Sequence, residues 1–183
     1  MTENTPEETP IQAASQGHGP LWQREYTARL RDCAFSPEDV VQLLRTNFPD
    51  FSPEGLAAFF NEKSTPLEVG DEMQVVIQGY GECGVRVVHL ESHSLTLRTL
   101  EGHFEAGRIT FGAYCENGAL VMRIHSRARS LDRLRHLGYK LLGQKSQEQP
   151  WRVFLERVVE TIGGELQGEI EVETSEVKST LAD

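Results

Sequence analysis

Several short stretches of the chain hold side chains whose types and spacing could do chemistry. In His103-Phe104-Glu105 an imidazole stands two residues from a carboxylate. Such a pair can act as acid or base, with the carboxylate orienting the ring. The pair lies between Gly102 and Gly107 in a turn, and there the ring can instead bond nearby backbone and brace the chain. No third catalytic group is evident beside it, so the brace is the preferred reading. His89-Leu90-Glu91-Ser92-His93 offers two imidazoles. A zinc pair of the H-E-x-x-H kind needs a helix and a differently placed Glu, so two surface histidines and no metal are expected. Ser126 has no G-x-S-x-G setting, which argues against a nucleophile elbow.

Two further patterns concern ligands. Gly79-Tyr80-Gly81-Glu82-Cys83-Gly84 matches G-x-G-x-x-G by letters. A dinucleotide fingerprint needs a helix directly after it, so that amides point at the pyrophosphate. Here Val85 to Leu90 alternates like a strand, so a glycine-rich turn and no cofactor are expected. Arg123, Arg127, Arg129, Arg133, Arg135, Lys140 and Lys145 cluster with Asp132 as the sole acid among them. Stacking aromatics do not interleave, as they would in a single-strand nucleic-acid binder, so no nucleic-acid partner is expected. Arg127 and Arg129 are instead candidates to meet a ligand carboxylate or phosphate at a cavity mouth.

These residues need elements to position them. Residues 22–31 place Trp22, Arg24, Tyr26, Ala28 and Leu30 on one side of a first strand. Ser36-Pro37-Glu38-Asp39 combines a hydroxyl cap, a first-turn proline and acids at the positive end of a helix dipole. Val40, Val41, Leu43 and Leu44 supply its buried stripe. Ser52-Pro53-Glu54 repeats this grammar before Leu56, Ala57, Phe59 and Phe60 and predicts a second short helix. From Glu68 onward the period is two, and five antiparallel strands follow, the last pair joined at Asn117-Gly118, a strong hairpin signal. After Ser130 the period returns to that of a helix through Leu131, Leu134, Leu137 and Leu141, then through Trp151, Phe154, Leu155, Val158 and Ile162. Pro150 either kinks this region or starts a second helix.

With 183 residues and 38% hydrophobic side chains, the chain fits one domain with tails. Its apolar runs are too short to span a bilayer. An odd set of three cysteines without C-x-x-C spacing points to a reducing, cytoplasmic setting. Of the net charge of −10, residues 1–20 and 164–183 hold the larger share. Both stretches are poor in aromatics and are expected to be disordered acidic tails around a domain at 21–163.

The stretch Thr99-Leu100-Glu101-Gly102-His103-Phe104-Glu105-Ala106-Gly107 resembles the signature of the "domain of unknown function nineteen-ninety" family, and so does Ile124-His125-Ser126-Arg127-Ala128. Gln144 and Trp151 are similar to residues of that family's closing helix. Glu101 and Phe104 stand where the family has prolines, and Arg108-Ile109 where it has an acidic pair. The resemblance implies a START-like (SRPBCC) helix-grip fold, an α+β architecture in which a C-terminal helix grips a curved antiparallel sheet. Its relatives mostly hold apolar small molecules between the two, and a minority act as cyclases or hydrolases.

The expected function is therefore binding of an apolar or amphipathic small molecule, with Phe111, Met122, Phe154 and Val158 as cavity walls and Arg127 and Arg129 at the mouth. Two alternatives stay open. One is a protein-interaction module with a filled core, and the other is a cyclase- or hydrolase-like enzyme using His103 and Glu105.

Overall fold

The computed structural model describes residues 8–53, 55–61, 66–131 and 145–177. Its strands are β1 (His18–Arg31), β2 (Ala57–Phe60), β3 (Glu72–Ile77), β4 (Gly81–Glu91), β5 (Ser94–Thr99), β6 (Glu105–Glu116), β7 (Ala119–Ser130), β8 (Glu165–Leu166) and β9 (Glu171–Val177). They form one antiparallel sheet in the order β2-β3-β4-β5-β6-β7-β1, and β8 and β9 share the remaining edge of β1. Among the described residues two α-helices, α1 (Pro37–Asn47) and α2 (Lys145–Ile162), accompany the sheet.

The local chemistry explains most of these elements. At the start of α1 the Ser36 hydroxyl accepts the Asp39 amide at 3.1 Å, and the Asp39 carboxylate accepts the Ser36 amide at 2.9 Å. This reciprocal box satisfies donors that a helix start leaves open. Asn117 and Gly118 take φ of 51° and 75°, the positive pair that a tight turn between β6 and β7 requires. Helix α2 runs through Pro150 rather than starting after it. The expected stripe at Leu134, Leu137 and Leu141 lies outside the described residues.

Three expectations are corrected. Ser52-Pro53 begins no second helix. Gly55 turns to φ +80°, the Ser52 hydroxyl accepts the Phe59 amide at 3.1 Å, and the chain enters β2. An Ala-Ala-Phe-Phe stretch fits either period, and pairing with β3 decides it. At the C-terminal end, Gly163 and Gly164 (φ 70° and 95°) reverse the chain, so that β9 pairs with β1 from Thr27 to Leu21 and Ile170 is buried. Residues 165–166 and 171–177 are therefore sheet, not tail. At the N-terminal end the ordered chain extends well before residue 21. Gln12, 5% exposed, donates its amide to the Thr99 carbonyl at 2.8 Å.

The core lies between the inner sheet face and the helices. Phe48, which follows α1, packs its ring 5.0 to 5.1 Å from those of Phe59, Phe111 and Phe154. On α2, Phe154, Leu155, Val158 and Ile162 are buried, the spacing of one helix face.

Gly107 allows β6 and β7 to close on each other. A Cβ there would stand 2.1 Å from the Arg127 carbonyl oxygen and 2.7 Å from Ala128 Cα. At Gly112, on the same strand, the nearest atom would be 3.4 Å away. Gly107→Ala is therefore expected to lower unfolding free energy by about 2 kcal/mol or more, and Gly112→Ala by less than about 1 kcal/mol. Urea denaturation of the two variants measures the difference, and equal losses would contradict the close-approach account.

Candidate ligand cavity

Side-chain size changes along the inner face of each central strand. On β7 Leu120, Met122 and Ile124 give way to Ser126 and Ala128, and on β6 Phe111 and Ile109 give way to Gly107. On β1, Tyr26 is followed toward the N-terminus by Arg24. Bulky residues fill one half of the space under α2. The small ones leave a cavity of ≈ 570 Å³ in the other half.

Its apolar wall includes Phe59, Val75, Ile77, Leu97, Ile109 and Trp151. Its polar residues include Arg24, Glu105, Ser126, Thr99 and His103. Arg98 and Arg108 also border it, at positions whose side chains alternate toward the outer face of the sheet. Arg24 is 9% exposed and sits opposite Ser126 across the β1–β7 pair. Its guanidinium is 3.8 Å from the Glu105 carboxylate, wider than a hydrogen bond. This buried, oppositely charged pair at one end of an otherwise apolar wall makes that end the cavity's polar pole.

A turn braced from both sides borders the pole. Gly102 adopts φ +92°, and the His103 amide donates to the Leu100 carbonyl at 3.0 Å. The Gln12 side chain donates to the carbonyls of His103 and Glu105 at 2.7 and 2.8 Å and accepts the Gly102 amide at 3.2 Å. The rings of Tyr80, Phe104 and His103 stack in sequence, with centroids 4.4 and 4.7 Å apart. Tyr80 is carried by a turn in which Gly79 and Gly81 have φ of 81° and 95°. The G-x-G letters are thus turn glycines, and β4 follows them.

Burial pushes the His103 pKa down to about 4. Its Nδ1 accepts the Glu105 amide at 3.1 Å, which only a ring unprotonated at that nitrogen can do, so the neutral tautomer carries its proton on Nε2. Burial, with the Glu105 charge beside it, pushes the Cys83 thiol up to about 12, far from a reactive thiolate.

The other predicted site residues fall elsewhere. Phe111, Met122, Phe154 and Val158 do converge, but on a void of ≈ 10 Å³ in the packed half, about enough for one water. Their expected place as walls of the main cavity is corrected, because aromatic packing closes the space between them. Arg127 and Arg129 stand on the opposite parity from Ser126 and Ala128, so they point to the outer face and not to a cavity mouth. Arg127 donates to Gln23 at 2.9 Å. His89 and His93 face different carboxylates, those of Glu91 and Glu38. Arg24 and Gln12 carry the pole and its brace, and neither was singled out by motif. The available signal was a charged residue on the inner parity of β1.

A curved antiparallel sheet packed on a long helix late in the chain, with a cavity between them, is the Bet v1/START-like helix-grip fold. Solved structures agree. Norcoclaurine synthase from Thalictrum flavum, in complex with dopamine and hydroxybenzaldehyde, is similar with a TM-score of 0.53 and 9% identity, over 90% of this chain and 100% of that one. The major latex-like protein 151 of Panax ginseng gives a TM-score of 0.54 and 11% identity, over 79% and 99%. A hypothetical protein from Helicobacter pylori gives 0.54 and 11%, over 76% and 86%. No family model and no curated protein matches the chain. Among the described residues, no helix is long and apolar enough to cross a membrane.

Because the folded state holds His103 neutral while the unfolded ring titrates near 6.5, the unfolded chain binds the extra proton between these pH values. Stability from this group is full above about pH 6.5 and is lost as pH falls toward 4. Between pH 7 and pH 5 the loss amounts to about 2 kcal/mol. In His103→Gln that component of the pH dependence should vanish, which urea midpoints at the two pH values would show. An unchanged pH dependence would contradict the burial of a neutral ring.

Proposed function

We propose that the chain binds an amphipathic small molecule in the cavity, with its apolar body against Phe59, Ile109 and Trp151 and its polar group at Arg24, Ser126 and Glu105. The observation that carries this reading is a cavity of ≈ 570 Å³, within the range that small-molecule sites occupy, apolar except at one charged end. A ligand hydroxyl suits that end, since it can accept from Arg24 and donate to Glu105 across their 3.8 Å separation. The hydroxylated aromatics held by the synthase of the same fold support this ligand class.

The open cavity supports binding over an interaction module with a filled core. The engagement of His103 by backbone supports a brace over an acid–base role for His103 and Glu105. Kinship with the "domain of unknown function nineteen-ninety" family is part of this reading, because residues 103–105 and 126 of the two resembling segments border the cavity. Three free thiols support a cytoplasmic setting.

Displacement of a fluorescent anilinonaphthalene dye by phenolic acids and fatty alcohols tests the proposal. Saturable one-site displacement is expected in the wild type, and Ile77→Trp, at a partly buried position on the cavity wall, should abolish it. Arg24→Met should weaken hydroxylated ligands roughly tenfold while sparing purely apolar ones. Absence of saturable binding, or equal binding by Ile77→Trp, would overturn the assignment.

A further inference from the structure

The outer face of the sheet carries a feature that cavity binding does not use. Arg86 of β4 is paired in register with Arg98 of β5, Arg98 with Arg108 of β6, and Arg108 with Arg127 of β7. Each alternates with inward residues: Val85 and Val87, Leu97, Ile109, then Ser126 and Ala128. Four arginines therefore stand abreast across four neighbouring strands on the face away from α2. At the usual strand separation the row is about 15 Å long.

Like charges directly opposite one another oppose sheet formation, so such a row is retained against a cost. Arg86 and Arg127 at its ends are neutralised or bonded within the chain, and Arg108 also has an interaction partner there. Arg86 pairs with Glu72, which is opposite it on β3, and donates to the Thr9 carbonyl at 2.7 Å. At the other end Arg127 donates to the Gln23 side chain. In the middle, the Nε of Arg98 is buried with no hydrogen-bond partner. On β7, His125 lies between Arg123 and Arg127, and its pKa is lowered by burial and then by the charges of Arg127, Arg123 and Arg108, against the opposing pull of Glu25. That is the response expected of a ring in a positive field.

We infer that this row is a binding site for a linear chain of phosphate groups, an inorganic polyphosphate. Guanidinium forks bind phosphate oxygens bidentately, and a flexible phosphate chain can supply a charge to every member of the row. Acidic peptides match it less well. Carboxylates on one face of an extended peptide recur at about 6.7 Å, and those one helical turn apart at about 6 Å, whereas adjacent arginines recur at about 4.8 Å. Beside the row, Thr96 and Thr110 bond each other at 2.9 Å where a nucleic-acid groove would offer an aromatic plate for a base.

Isothermal titration of the full chain with sodium polyphosphate and with tripolyphosphate tests the site. Saturable binding is expected, tighter for the longer chain and weakening as salt rises. The double substitution R98Q/R108Q, which relieves like-charge contact, should weaken binding roughly tenfold or more with an unchanged circular dichroism spectrum. If the double variant fails to fold, R98Q alone should lose about threefold. R152Q, at a solvent-facing position of α2 beside Glu156, should bind as the wild type does. The proposal is overturned if the wild type shows no saturable binding at low salt, or if the row variants bind equally well. It is also overturned if polyglutamate of matched charge competes as strongly, since the row would then be a face for acidic protein segments.

Discussion

Contact between Phe154 of α2 and the rings of Phe111 and Phe48, at 5.3 and 5.0 Å, is the constraint on which the rest of the molecule depends. It sets how far the helix stands from the sheet. Each fully buried aromatic of this kind contributes about 1.5–3 kcal/mol, and Phe51, Phe59 and Trp151 extend the same cluster. Once the helix is held at that distance, only bulky residues can fill the space beneath it. Where β6, β7 and β1 turn to Gly107, Ser126, Ala128 and Arg24, the space stays open. The cavity is thus a consequence of helix position and of side-chain size along three strands.

The polar end of that space is maintained by residues remote from one another in the chain. Gln12 clamps the turn that carries His103 and Glu105 through three side-chain hydrogen bonds. The stack of Tyr80, Phe104 and His103 ties this turn to the β3–β4 turn. Glu105 is thereby kept near Arg24, whose place on the inner face follows from the pairing of β1 with β7. Burial of His103 as a neutral ring joins stability to the shape of the pole, since the same burial disfavours the protonated ring and holds its pKa down to about 4.

Much of the fold was legible in the amino-acid sequence wherever a signal was local. The inward set Trp22, Arg24, Tyr26, Ala28 and Leu30, the Ser36 cap, the Asn117-Gly118 hairpin and the stripe from Trp151 to Ile162 are each dictated by neighbours a few residues apart. Elements that depend on distant partners were not legible. Strand β2 needs the edge of β3, and the acidic β9 needs the free edge of β1. Gln12 needs the turn at residues 99–105. The cavity itself was half legible. Strand parity pointed to a sheet gripped by a helix, but its placement required knowing that small and polar residues on the inner parity cluster at one end. The same parity, followed to the outer face, moves Arg127 and Arg129 away from the cavity, making Arg127 the last member of the arginine row and setting Arg129 two residues beyond it on β7.

The claim that the open half of the grip is a ligand site is tested most directly by a native mass spectrum taken after incubation with a mixture of phenolic acids and fatty alcohols. The account predicts that the wild-type chain retains a single small molecule and that Ile77→Trp appears at its bare mass. A wild-type spectrum with no adduct, or one with the same adduct in both proteins, would contradict it.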